Sequence, residues 1–132
     1  ELFNTNDVPT YRKLFGAEAS EYWITHYTFD KASTPRRKTL GTSSIDLLII
    51  NLVAPLLIAY GRRKNDTGMT SKPIDMLMQI KGEDNSIIRN WVGFGVDVSN
   101  AASTQALLEL KTNYCDLKKC LNCRIGNELL KG

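Results

Sequence analysis

The run Ile45-Asp-Leu-Leu-Ile-Ile-Asn-Leu-Val-Ala-Pro-Leu-Leu-Ile-Ala-Tyr60 constrains this chain more than any other stretch. A helix of that length extends about 24 Å. Crossing a membrane takes about 20 predominantly apolar residues. This run is shorter, carries Asp46, Asn51 and Pro55, and ends in Gly61-Arg62-Arg63-Lys64. It reads as the buried core helix of a globular domain, with no membrane partner. Ser43 or Ser44 is expected to cap it, with Asp46 in the first turn, where a negative charge opposes the helix dipole. Pro55 has no N–H to offer the carbonyl of Asn51, so a kink is expected there beside the Asn51 amide. A buried polar group left unpaired costs about 1–3 kcal/mol, so the spot needs a partner.

The rest of the chain supplies helices to pack against that run. Tyr22, His26 and Phe29 would share one helical face, and Trp23 and Tyr27 another, which predicts a helix around 18–28. Residues 31–41 hold turn formers and charges and read as a loop. Pro73 suits a first helical position, with Ile74, Leu77, Met78 and Lys81 following on helical spacing and Gly82 closing the element. Ile87, Ile88, Trp91 and Val92 predict a helix, for which Asp84 or Asn85 is the expected cap. Ser99 or Asn100 starts a fifth, carrying Ala106, Leu107, Leu110 and Tyr114. Residues 122–130 form a last short helix. No stretch sustains a period of two. The fold class is all-α: a compact bundle of about five helices plus a short C-terminal helix. With 132 residues, 42% hydrophobic and 23% charged, residues 1–132 read as a single helical domain. Residue 1 is Glu, so the expectation is the C-terminal part of a longer protein.

All three cysteines fall near the end, as Cys115-x4-Cys120-x2-Cys123. An odd, clustered set argues against a secreted disulfide scaffold and for the cytoplasm. Cys120 and Cys123 can share one helical turn, but Cys115 and Cys120 would point about 140° apart on a continuous helix. Joint ligation of a metal therefore requires the fifth helix to stop near Tyr114 or Cys115. A structural zinc takes four ligands, and His26 is the candidate fourth beside Cys115, Cys120 and Cys123. An iron–sulfur cluster is the weaker cofactor reading, because a fourth cysteine is missing. The alternative is three thiols that fill space or stay free.

The net charge of +3 excludes a histone-like tail. It conceals two basic clusters, Arg36-Arg37-Lys38 and Arg62-Arg63-Lys64, which are candidate phosphate contacts for a nucleic-acid partner. The second cluster also suits a helix C-terminus on dipole grounds alone. The aromatics read as core rather than as exposed stacking platforms, which weighs against nucleic acid. No nucleophile elbow and no phosphate loop is present, so no catalytic residues are assigned.

Several blocks together carry a resemblance: Tyr22-Trp-Ile-Thr-His-Tyr27, Leu40-Gly41, Ile50-Asn51 through Pro55 to Gly61, Ser103 to Leu107, and Tyr114-Cys115 through Gly126. They resemble the C-terminal region of an uncharacterised bacterial family with a domain of unknown function, whose members are longer than this chain. The resemblance implies that the remainder of its own longer chain is a partner, and that His26, Asn51, Pro55, Gln105 and the three cysteines share a structural role. The expected function is a helical accessory or interaction domain, stabilised by metal if the cysteines bind one. The alternative is a nucleic-acid-binding module or the helical subdomain of a nucleic-acid-processing enzyme.

Overall fold

Asp7 opens the first helix, α1 (Val8–Leu14), by accepting the Thr10 amide N–H at 2.8 Å, with Pro9 in the first turn. That amide, with the Thr5 hydroxyl, holds the Asp7 carboxyl below the usual carboxylate range. The computed structural model describes Phe3, Thr5 and residues 7–131. It is predominantly helical, with one two-stranded sheet among the described residues. The chain divides into two compact units, one running through Met76 and the other from Leu77.

In the first unit, the helix expected at 18–28 is a single turn, α2 (Glu21–Ile24), and the rest is a hairpin. Strands β1 (His26–Thr28) and β2 (Lys31–Ala32) pair antiparallel, His26 against Ala32 and Thr28 against Lys31, with Asp30 left-handed at φ 60°. Thr25, Tyr27, Thr28 and Phe29 lose rotamer freedom in a helix and fit an extended chain better. Asp is one of the few residues that enters the left-handed region readily, so Asp30 can turn the corner.

The apolar run forms α3 (Thr42–Lys64), which starts ahead of the expected serine caps and takes in Arg62–Lys64 as its last turn. Its N-cap is Gly41, which brings no side-chain hydrogen bond, and Ser43 and Ser44 lie inside the first turn. Residues Ile49–Val53 wind as a π-turn, and the Ala54 N–H reaches back to the Ile49 carbonyl. The widened turn sits directly ahead of Pro55, where an α-helical register would place the proline ring against the Asn51 carbonyl. The Asn51 amide donates to the Leu47 carbonyl at 3.1 Å, giving the polar spot its partner on an exposed face.

By length and composition α3 could cross a membrane; 33% of its most apolar window is buried in the protein. Ile45, Ile49, Ile50, Val53, Ala54 and Leu57 are all buried, so one face of α3 serves as a core helix. Val8 and Tyr11 of α1 are buried with them, and burial followed by the charge of Asp7 pushes the Tyr11 phenol up. Arg12 crosses to Asp46 with two parallel bonds, Nε–Oδ1 at 2.8 Å and Nη2–Oδ2 at 2.9 Å.

The next helix, α4 (Thr67–Gln79), starts well before Pro73, which lies buried inside it rather than at its first position. Asp66 supplies the start by accepting the Met69 N–H at 3.1 Å. The boundary between the two units falls within α4. In the second unit, α5 (Ser86–Gly93) is capped by Asn85 at 3.0 Å and α6 (Ala101–Leu110) by Asn100 at 3.0 Å, both as expected. The α6 helix runs on as a π-turn over Lys111–Cys115, and α7 (Arg124–Leu130) closes the chain. A Cβ on Gly82 would meet Thr104 Cγ2 at 2.8 Å, so glycine is required where that turn passes the fully buried Thr104.

Candidate functional site

Within the second unit, Cys115, Cys120 and Cys123 line one pocket of about 230 Å³ together with Trp91, Leu110, Tyr114, Ile125, Gly126 and Leu129. Each cysteine comes from a different local structure. Cys115 ends the π-turn of α6, Cys120 opens a short 3-10 turn (Cys120–Asn122), and Cys123 is the N-cap of α7. The helix stops at Cys115, where joint ligation of a metal would require it to stop. Lys118 adopts φ 52°, and the Lys119 N–H returns to the Tyr114 carbonyl at 2.9 Å, so the chain turns sharply after Cys115. Lys111 pairs with Asp116 across the same turn.

Gly126 makes the pocket feasible. A Cβ there would lie 2.4 Å from the Cys120 carbonyl oxygen, so α7 can pass this close to the cysteine turn only without a side chain. All three thiols are free; Cys115 and Cys120 are exposed and Cys123 is buried. Among the described residues, no group of three or more His, Cys, Asp or Glu side chains could hold a metal ion. The pocket wall is sulfur and aromatic surface and almost wholly apolar, which suits an apolar group seated against it.

His26 belongs to the hairpin of the first unit. Its ring stacks on Tyr22 at 4.1 Å between centroids and 7° between planes. Nδ1 lies 2.9 Å from the Tyr22 carbonyl oxygen and 3.0 Å from the Thr25 hydroxyl. A carbonyl can only accept, so a hydrogen bond to the Tyr22 oxygen calls for a proton on Nδ1, whereas the Thr25 hydroxyl can serve Nδ1 in either tautomer.

The first basic cluster divides by role. Lys38 turns inward, donating to the Trp23 and His26 carbonyls and lying 3.7 Å from the centroid of the Tyr27 ring. Arg37 pairs with Glu18 at 3.5 Å, while Arg36 is exposed. Arg62, Arg63 and Lys64 form the last turn of α3 ahead of the left-handed Asn65, the position that the helix dipole favours for cations. The aromatic segment is not core: Tyr27 is 62% and Phe29 74% exposed. Trp91, Leu110, Ile125, Gly126 and Leu129 were not legible as pocket residues. Helical spacing marks apolar faces, but not which of them stay open.

One family profile, described as "Protein of unknown function (DUF2851)", matches residues 1–86. The blocks Tyr22–Tyr27 and Ile50–Gly61 lie inside that match, and the blocks Ser103–Leu107 and Tyr114–Gly126 lie beyond it. No curated protein and no solved structure matches the chain.

Proposed function

We propose, from the premise that this chain belongs to the DUF2851 family of proteins of unknown function, that it is a helical interaction domain whose C-terminal pocket receives an apolar group of a protein partner. The observation that carries the reading is the apolar surface around the cysteine pocket. Leu121 is 75% and Leu129 78% exposed, and Leu117, Ile125 and Leu130 are exposed with them. Single exposed leucines are ordinary, whereas several within one 14-residue segment beside an apolar pocket suit a surface that another chain covers. The partner of choice is the remainder of its own longer polypeptide. Three free thiols suit a reducing compartment, and we place the protein in the cytoplasm.

Producing this chain and the remainder of its parent polypeptide as two separate chains in one host tests the reading. Co-purification is expected, and Leu121→Asp combined with Leu129→Asp is expected to abolish it. Both side chains are exposed, so the variant should keep its far-ultraviolet circular dichroism. Failure of the two parts to associate, or association that ignores the double variant, would count against the proposal.

A further inference from the structure

The hairpin of the first unit carries chemistry that an apolar docking pocket does not use. We propose that residues 22–36 form a stacking platform for single-stranded nucleic acid, with bases on Tyr27 and Phe29 and phosphates on Lys31 and Arg36. This goes beyond the interaction reading and stands or falls separately from it.

The rings are held in place before any ligand arrives. Trp23 meets Tyr22 edge-on at 5.1 Å and Phe29 at 5.1 Å, and the Tyr22–His26 stack backs them. The backbone beneath is closed by Ser33 N–H to the Thr25 carbonyl at 2.6 Å and Arg36 N–H to the Ile24 carbonyl at 2.8 Å. The Tyr22 hydroxyl accepts the Asp30 N–H at 3.2 Å, which fixes the corner that presents Phe29. Exposed aromatic faces on a rigid support are costly to leave in water, and every base offers a complementary π-face.

Two cations without an ion-pair partner suit a phosphate backbone better than an apolar protein segment. Lys38 is consumed inside the hairpin and Arg37 by Glu18. Among the described residues, Lys31 and Arg36 have no carboxylate at ion-pair distance, and both are exposed. Glu21 and Asp30 balance these two cations within residues 21–36, and with Glu18, Arg37 and Lys38 the segment 18–38 carries a net charge of +1. Two free cations in the same hairpin as the exposed Phe29 ring and the one face of Tyr27 that Lys38 leaves uncovered match a flexible strand, in which backbone charge and base alternate. They do not match a rigid duplex, whose bases are already stacked.

Fluorescence anisotropy with a labelled oligothymidine of about 12 nucleotides tests this, a length within the usual range for such sites. Binding is expected at low ionic strength, weakening as salt rises, with quenching of Trp23. Phe29→Ala and Tyr27→Ala are each expected to weaken binding about tenfold, the size of one lost base–aromatic stack. Lys31→Ala with Arg36→Ala should flatten the salt dependence. Phe94→Ala, an exposed ring in the other unit, should leave binding unchanged. No binding at low salt overturns the proposal, as does binding that Phe29→Ala and Tyr27→Ala leave intact. Preference for the duplex of the same sequence would also overturn it. Capture of an apolar peptide by the hairpin in place of the oligonucleotide would assign the rings to a protein partner instead.

Discussion

Arg12 and Asp46 form a two-pronged ion pair in the first unit, in which the guanidinium meets both carboxylate oxygens while the Asp46 side chain is only 15% exposed. The hydrogen bond to Asp46, more than the raw charge, raises the Arg12 guanidinium further above its already high range. Asp46→Ala should therefore cost about 1–3 kcal/mol in urea unfolding, typical of hydrogen bonds to charged groups. Arg12→Lys should recover only part, since an ammonium cannot reproduce the two-pronged contact. A loss no larger than that of an exposed pair such as Lys131–Glu128 would contradict this assignment. The thiols offer a second residue-scale test. With Cys115 and Cys120 exposed and Cys123 buried, a thiol reagent should modify two groups quickly and the third only on unfolding. A resident zinc bound by all three would instead protect all three until a chelator is added.

At the scale of elements, glycines decide where two segments may meet. A Cβ on Gly61 would lie 2.8 Å from Met69 Cβ and 2.9 Å from the Met69 carbonyl carbon, so the α3–α4 contact leaves no room for a methyl group. On Gly126 it would collide with the Cys120 backbone. Gly126→Ala is expected to cost about 1–3 kcal/mol, in the range of overpacking, and to expose Cys123 to thiol reagents. Unchanged Cys123 protection in that variant would mean that α7 does not shield the thiol. Proline at position 55 made a distortion of α3 legible, but its form was not. Whether a helix answers a missing N–H by kinking or by widening one turn depends on the packing of Ile49, Ile50 and Val53. The helical spacing of Tyr22, His26 and Phe29 misled, because spacing records which residues could share a face and not whether a core lies opposite it. At the first helix a signal existed in Asp7-Val8-Pro9, an N-cap followed by an early proline.

At the scale of the whole molecule, each compact unit contains one tryptophan, Trp23 in the first and Trp91 in the second. Urea unfolding followed through Trp23 alone, in a Trp91→Phe background, should give a midpoint different from that of Trp91 followed in Trp23→Phe. Coincident midpoints in both backgrounds would show the 132 residues unfolding as one cooperative block. Helical class, the caps at Asn85 and Asn100, and the end of α6 near Cys115 were decided locally, by hydrogen-bonding groups within a few residues of each other. The long apolar run was legible as a helix, but only one of its faces is core, and Leu47, Leu52 and Leu56 on the rest of it are exposed. What only the tertiary structure decided was which apolar surface stays open. The rings of the hairpin emerged from the expected core into solvent, Lys38 went inward to satisfy carbonyls, and three cysteines from three turns came to one pocket wall. Burial depends on contacts between segments distant in the chain, and no local spacing encodes them.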